Sequence, residues 1–171
     1  APESEQVARR TGVVEDVYVV PAFAGLGAPY WDPDARGAIV GLSRGSGRDQ
    51  VVTATLQAVA YQTRDLIDAM ADDGISPSVI RVDGGMVGND WFLQFLADVL
   101  DIRVERPANV ESTVLGAAYL AALQCGLIEN LQQASQLWRC DAVFEPRMSA
   151  DQRDALLSGW APAVARVRDA R

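Results

Sequence analysis

The feature that most constrains the fold of this chain is an alternation of helical and extended patterns that begins at residue 49. Apolar residues recur at helical spacing over residues 49–70, a short apolar strand pattern follows at 79–82, and both patterns then repeat through residue 123. Helices that alternate with strands imply parallel strands joined by crossover helices. The sequence therefore predicts an α/β fold, a mixed sheet with flanking helices on both faces, in which the strand at 79–82 is internal.

Caps and breakers stand at the ends of these patterns and support the assignment: Gly74, Pro77, Asn89, Ser112 and Gly126. Of these, Asn89 and Ser112 are predicted to cap the helices that follow them. A last helix is predicted after a capping box at Ser149 and Gln152, with a kink at Pro162.

The chain before residue 49 is less regular. Residues 1–16 are polar and show no apolar periodicity, so we interpret them as a tail or linker and residues 17–171 as the domain. Short apolar runs at 17–21 and 37–42 predict two strands. The stretch between them, residues 22–36, is rich in glycine, proline and aromatic residues, and irregular connections of this length are often functional.

Composition and charge exclude several classes of function. The chain has 171 residues, of which 49% are hydrophobic and 22% charged, as in a single globular domain. Its net charge of −8, from 15 basic and 23 acidic residues, opposes binding to nucleic acids or anionic membranes, because phosphates would be repelled. No run approaches the roughly 20 apolar residues that span a bilayer, and no signal peptide opens the chain. We therefore expect a cytoplasmic protein.

The residue types narrow the chemistry further. The chain has no histidine, which excludes Ser-His-Asp and Cys-His catalysis within it and any metal site that uses histidine. Cys125 and Cys140 form no Cys-x-x-Cys pair. We interpret both cysteines as small buried apolar residues in a reducing compartment.

The best candidate site is the turn after the strand at 79–82, where Gly84 and Gly85 are followed by Asn89. Two glycines let the backbone turn sharply and leave no Cβ in front of a ligand. The next helix presents free N–H groups there, and ligands bind α/β sheets at the carboxyl ends of parallel strands. A flat base could lie over Gly85, with the Asn89 amide at its edge. An ordinary strand-to-helix turn, with Asn89 only as an N-cap, explains the same spacing.

The other candidates are weaker. Asp83 could be a general base or a metal ligand, but a lone acidic residue at a strand end is more often a turn residue bonded to its own backbone. Tyr30 and Trp31 are interpreted as packing their loop against the core. Gly25 and Gly27 suggest a phosphate loop, yet neither the Walker spacing nor the dinucleotide fingerprint is present. The residues alone thus indicate an α/β domain with one candidate nucleotide crevice.

Several segments resemble the glycerol kinases of the carbohydrate kinase family, whose two halves each have an actin-like, ribonuclease H-like ATPase fold. Residues 17–42 contain the Pro-Ala-Phe and Gly-Leu-Gly-Ala-Pro-Tyr-Trp-Asp runs of that group. Residues 37–42 and 50–57, seven residues apart, are similar to the signature of the whole family. The runs at 81–85, 104–107 and 115–120 extend the likeness over roughly residues 17–168. One departure is Ala24, where other members have threonine, and it puts one local hydrogen bond in doubt.

The resemblance implies that Gly85 contacts a nucleotide through its backbone and Asn89 through its side chain near adenine, with Gly84 beside them. It implies no catalytic residue and no metal ligand in this chain. In such kinases the phosphate-binding loop, the glycerol-binding residues, the catalytic base and the Mg²⁺ ligands lie nearer the N-terminus. It also implies a partial domain from which the first strands of this half are absent.

The implied activity is transfer of the γ-phosphoryl group of ATP to glycerol, giving glycerol 3-phosphate, with ATP and Mg²⁺ as cofactors. The implied partners are ATP or ADP, glycerol, the N-terminal half of the same enzyme and further copies in a homo-oligomer. The chain by itself is expected to be inactive. Two alternatives stay open: a sister sugar kinase with another acceptor, and a non-catalytic module that binds a partner through its acidic surface and the loop of Tyr30 and Trp31.

Overall fold

The structure is a computed structural model that describes residues 2–168, with side chains from residue 3. Residue 1, in the predicted tail, and residues 169–171, at the end of the predicted domain, lie outside the described residues. A 3-10 turn at Gly85–Gly88 stands between β3 and α3. The other elements follow in the order α1 (Pro2–Thr11), β1 (Tyr18–Val20), β2 (Ala38–Val40), α2 (Arg48–Asp72), β3 (Val79–Arg81), α3 (Asp90–Leu100), β4 (Arg103–Pro107), α4 (Ser112–Gln124), α5 (Leu131–Ser135), β5 (Cys140–Phe144) and α6 (Ala150–Arg168).

The strands form two separate sheets. β1 and β2 pair antiparallel, with Val19 opposite Ile39. β3, β4 and β5 form a three-stranded sheet in which β3 is parallel to β4 and β5 is antiparallel to it. Helix α3 is the crossover between the two parallel strands and packs on β4 and β5. The predicted α/β fold, with a mixed sheet and flanking helices, is confirmed.

The predicted internal position of the strand at 79–82 is wrong. Among the described residues β4 is the central strand, and β3 lies at the edge of the sheet with β4 as its neighbour. Sequence reasoning missed β5, because its residues are mostly exposed and form no continuous apolar run. An antiparallel strand also needs no crossover helix, so the alternation of helices and strands did not predict it.

Residues 2–11 form helix α1, not the patternless tail that the sequence predicted. Val7 and Ala8 are buried on its inner side, and the helix packs on α2 and α3. Arg10 also reaches the start of α2, where its Nη2 lies 2.7 Å from Asp49 Oδ2. Two buried residues are too few to show a helical period, which explains why the pattern was missed.

The core is organised around Tyr61 of α2, which joins three other elements. Its ring centroid lies 5.9 Å from that of Tyr18 on β1, 5.7 Å from that of Phe95 on α3 and 5.3 Å from that of Trp160 on α6. All four side chains are buried. Such aromatic pairs contribute about 0.5–1.5 kcal/mol beyond the area that they bury. The cluster therefore holds β1, the crossover helix and the C-terminal helix on α2.

Helix α4 and its surroundings lie at the surface, contrary to two predictions. None of the residues of α4 is buried within the described part of the chain. Ser112 is the first residue of α4, and the cap position belongs to Glu111, which makes no capping bond with its side chain. Cys125 and Cys140 are both exposed, so their predicted burial is wrong. Helix α5 packs on α4, yet every described residue of α4 keeps some exposure to solvent.

Candidate functional site

The turn after β3 has a backbone that requires glycine at one position. Gly84 has φ 87° and ψ −179°, a conformation essentially restricted to glycine. The 3-10 turn Gly85–Gly88 follows, and α3 begins after Asn89. The Gly84 N–H donates to the carbonyl oxygen of Val110 at 3.1 Å, which ties the turn to the loop after β4. The turn thus stands at the carboxyl ends of both parallel strands.

The surface over this turn is open backbone. A Cβ added at Gly84, Gly85 or Gly88 would meet no heavy atom within 4 Å. At Gly85 the backbone itself does not demand glycine, since φ there lies outside the left-handed region. Neither a neighbouring atom nor the backbone conformation requires glycine at this position. The missing side chain does, however, leave room for a flat group to approach the main chain.

Of the two polar atoms in the Asn89 side chain, Oδ1 has a hydrogen-bond partner and Nδ2 has none. Its Oδ1 accepts a hydrogen bond from the Phe92 N–H at 2.9 Å, so Asn89 is the N-cap of α3, as predicted. Its Nδ2 is buried and has no hydrogen-bond partner. A buried donor left unpaired costs about 1–3 kcal/mol. Asn89 as a whole is 9% exposed, so only a small part of the residue meets solvent.

Arg106 of β4 fastens this turn from below, and sequence reasoning missed it. Its Nη1 donates to the Val87 carbonyl oxygen at 3.0 Å and to Asp90 Oδ1 at 2.7 Å. Its Nε donates to Asp141 Oδ2 on β5 at 2.9 Å. Burial disfavours its charge, but the hydrogen bonds that it donates to Asp90 and Asp141 outweigh burial and raise the pKa of Arg106. The signal in the sequence was the Val-Glu-Arg-Pro run at 104–107, used only as a family likeness.

Asp83 and the cavities do not add to the candidate site. Asp83 is exposed, and no hydrogen bond from its own backbone to its carboxylate is found in residues 2–168, so neither role considered for it has structural support. The nearest cavity, of about 420 Å³, lies between β4, α4 and the segment before β5. It is lined by Pro107, Ala108, Asn109, Ser112, Leu115, Gly116, Tyr119, Leu137, Trp138 and Arg139. Gly84, Gly85 and Asn89 are outside it, so the candidate crevice is a surface in this chain.

The long loop before β2 is anchored by a carboxylate on α2. Asp65 Oδ2 accepts a hydrogen bond from Trp160 Nε1 at 2.9 Å, and Asp65 also bonds Tyr30. Burial raises the pKa of Asp65, against the two hydrogen bonds, which lower it. Burial and the proximity of Asp65 raise the pKa of Tyr30 to about 12. Tyr30 packs against the core as predicted, whereas Trp31 is 76% exposed, so its predicted packing is wrong.

The described residues contain neither a metal-binding cluster nor a membrane-spanning helix. Among residues 2–168 no group of three or more His, Cys, Asp and Glu side chains could hold a metal ion. The location of the Mg²⁺ ligands outside this chain stays a prediction. No helix in the described range is long and apolar enough to cross a bilayer.

The class of the protein follows from its sequence and fold together. The sequence model of the C-terminal domain of the FGGY family of carbohydrate kinases matches residues 3–125. The chain belongs to this family of kinases. The α/β fold described above is the actin-like ATPase fold of these kinases.

The curated relatives refine this class. The glycerol kinase of Ectopseudomonas mendocina is 57% identical over 169 residues, which cover 98% of this chain and 34% of that protein. Glycerol kinase 1 of Pseudomonas aeruginosa is 52% identical over 168 residues, again covering 98% of this chain and 34% of that protein. The chain therefore spans about a third of the length of the curated relatives that it matches.

Solved structures agree with the sequence comparison. Plasmodium falciparum glycerol kinase with ADP matches with a TM-score of 0.84 and 37% identity, covering 97% of this chain and 33% of that chain. Xylulose kinase from Lactobacillus acidophilus matches with a TM-score of 0.78 and 23% identity over 99% of this chain and 34% of that chain, a likeness of fold alone. The resemblance to glycerol kinases predicted from the sequence is confirmed.

Proposed function

We propose that this chain is the nucleotide-binding, C-terminal part of a glycerol kinase, an enzyme that transfers the γ-phosphoryl group of ATP to glycerol. The observation that carries the proposal is the 57% identity to a glycerol kinase over 98% of the chain. The structure of a more distant relative was solved with ADP, which supports ATP as the phosphoryl donor. We call this chain, together with the N-terminal part that its relatives have, the full-length kinase.

The candidate turn has a defined task in this proposal. Gly85 offers bare backbone on which the flat adenine base lies, and Gly84 lets the chain turn under it. The Asn89 Oδ1 atom is committed to the cap of α3, so its Nδ2 atom is the group left to bond an acceptor on the base. A ligand acceptor that reached Nδ2 would remove the cost of an unpaired buried donor.

Catalysis of in-line phosphoryl transfer consists mostly of positioning and of neutralising charge. This chain's residues bind and orient the adenine end of the nucleotide, and closure on the N-terminal part excludes water that would otherwise hydrolyse ATP. Mg²⁺ bound to the phosphates neutralises their negative charge. The acceptor site, the catalytic base and the metal ligands are assigned to the N-terminal part.

Exposed apolar surface supports the N-terminal part as a partner. Helix α4 is rich in apolar residues, yet all of its described residues have solvent access. Val114 and Leu120 are 65% and 62% exposed. Large apolar patches on a protein surface usually mark interfaces. Binding to the rest of the kinase, assembly into a homo-oligomer and a cytoplasmic location are further parts of the proposal.

The acceptor is tested by supplying MgATP to the full-length kinase with glycerol, xylulose or gluconate and identifying the products. We expect glycerol 3-phosphate, with kcat/KM for glycerol roughly 100-fold or more above the other acceptors, because a site built to bond particular hydroxyls rejects poor matches. A preference for a sugar acceptor would instead identify a sister kinase and overturn the proposal. A stoichiometric partner other than the N-terminal part, with no kinase activity, would favour a binding module.

An activity assay on this chain alone tests whether the acceptor site and the catalytic base lie in the N-terminal part. We expect no glycerol-dependent release of ADP above a control without enzyme, since the acceptor-side groups are assigned elsewhere. Turnover that survives repurification away from host kinases would contradict that assignment. It would leave the assignment of the fold intact.

A further inference from the structure

Two arginine side chains form similar hydrogen bonds at the two ends of α3. Arg106 binds the Val87 carbonyl oxygen and Asp90 at the N-terminal end, beside the candidate turn. Arg153 of α6 binds the Asp98 carbonyl oxygen at 3.3 Å and Asp101 Oδ2 at 3.1 Å at the C-terminal end. The side chains are 17% and 12% exposed. At each end of α3 the arginine thus binds one backbone carbonyl and one carboxylate, and Arg106 binds Asp141 in addition.

Of the two arginines, only Arg106 binds the turn that carries the proposed nucleotide contacts. Val87 lies inside the 3-10 turn between Gly85 and Asn89, and it is itself buried. The planar guanidinium holds Val87 and Asp90 while its other side binds Asp141 of β5. The turn is therefore fixed to two strands of the sheet through one side chain. The planar guanidinium of arginine has several N–H donors in fixed directions, so it suits three partners better than the single ammonium group of lysine.

We propose that Arg106 is a positioning residue for the nucleotide: it holds the 3-10 turn so that Gly85 and Asn89 present one surface to the adenine base. This inference rests on the proposed function of the turn. Without Arg106 the Val87 carbonyl loses a charged donor, and Asp90 and Asp141 lose the cation that both of them bind. The turn then samples several positions, and only a fraction of the molecules has the surface ready for the base. A reduced fraction of competent molecules lowers apparent affinity in proportion.

The test uses Arg106→Ala, Arg106→Lys and the matched control Arg153→Ala in the full-length kinase, together with Asn89→Asp as a reference. The measurements are the Michaelis constants for ATP and glycerol, kcat and the melting temperature. We expect Arg106→Ala to raise the ATP Michaelis constant about 5- to 30-fold, as the loss of charged hydrogen bonds suggests, with little change for glycerol. Arg106→Lys should recover part of that loss, because it keeps the charge but not the fork.

Arg153→Ala should lower the melting temperature by a similar amount and leave the ATP Michaelis constant within about twofold of the parent, which separates positioning from general stability. If Asn89→Asp raises the ATP Michaelis constant but Arg106→Ala changes it no more than Arg153→Ala does, the positioning role is wrong and the proposed site stands. If Asn89→Asp leaves the ATP Michaelis constant unchanged, the proposed nucleotide contact of Asn89 is wrong and this inference fails with it, whatever the effect of Arg106→Ala.

Discussion

The side-chain amide of Gln57 closes a pair of hydrogen bonds with the backbone of Val14, 43 residues earlier in the chain. Gln57 Oε1 accepts from the Val14 N–H, and Gln57 Nε2 donates to the Val14 carbonyl oxygen, both at 2.9 Å. The same Nε2 also donates to the Tyr61 hydroxyl at 3.0 Å. Gln57 is 1% exposed, so water cannot replace these bonds. The amide therefore fixes the segment between α1 and β1 to the middle of α2.

Replacing Gln57 with leucine should lower the free energy of unfolding by about 2–4 kcal/mol, since two buried backbone groups of Val14 lose their partners. Urea unfolding of the chain measures the change. Gln62→Leu on the same helix is the control, because Gln62 is partly exposed and such changes usually stay within about 0.5 kcal/mol. Equal effects of the two substitutions would mean that the pair of bonds contributes nothing specific.

Gly159 lies inside α6 because Tyr18 occupies the space of a side chain. A Cβ at Gly159 would lie 2.7 Å from Tyr18 Cε2 and closer still to the hydroxyl oxygen. The single proton of that hydroxyl is shared between the carbonyl oxygens of Leu156 at 3.1 Å and Glu15 at 3.0 Å, and both contacts hold Tyr18 in place.

Gly159→Ala should therefore destabilise the protein by about 1–3 kcal/mol, although alanine favours helices over glycine by about 1 kcal/mol. Thermal or urea unfolding gives the sign directly. Ser158→Ala, at the exposed neighbouring position in α6, should be close to neutral. A stabilised Gly159→Ala variant would show that the contact with Tyr18 relaxes without cost.

Asp65 should impose a pH dependence on stability. Burial raises the pKa of Asp65 above its ordinary value in spite of its hydrogen bonds with Trp160 and Tyr30. The folded state then holds a proton over a pH range in which the unfolded state has lost it. The free energy of unfolding therefore falls as the pH rises from about 4 through the folded-state pKa. Asp65→Asn should remove this contribution, and urea unfolding at a series of pH values that gave the same slope for both proteins would contradict the assignment.

Local features of the fold were predictable from sequence. Asn89 was identified as the cap of α3 because the cap needs only a side-chain oxygen and an N–H three residues later. The helical period of α2 and the glycine pair at 84–85 are equally local, and each was located correctly. These patterns did not distinguish an N-cap from a nucleotide contact at Asn89. The family resemblance favoured the nucleotide contact.

Features that depend on distant partners were not predictable. Arg106 meets Asp90 and Asp141, 16 and 35 residues away, and no spacing rule connects them. β5 joins the sheet through β4, so its exposed sequence alone carried little signal. Trp31 follows Tyr30 directly but has a left-handed backbone, with φ 49°, and its side chain is exposed, which the shared aromatic character of the two residues did not indicate.

The central claim is that Asn89 is a nucleotide contact in addition to a helix cap, and Asn89→Asp separates the two roles. An aspartate keeps the oxygen that caps Phe92 and suits the positive end of the helix dipole, but it removes the Nδ2 donor. Asn130→Asp is the matched control, since Asn130 caps α5 in the same way through the Gln133 N–H.

The measurement is the Michaelis constant for ATP in the full-length kinase, with that for glycerol determined alongside. For Asn89→Asp we expect a rise of about 3- to 100-fold for ATP and almost none for glycerol, from one or two lost hydrogen bonds of about 0.5–1.5 kcal/mol each. Asn130→Asp should change neither constant. If the Asn89→Asp enzyme uses ATP with the Michaelis constant of the parent, Asn89 is only a cap, and the nucleotide contact proposed here is wrong.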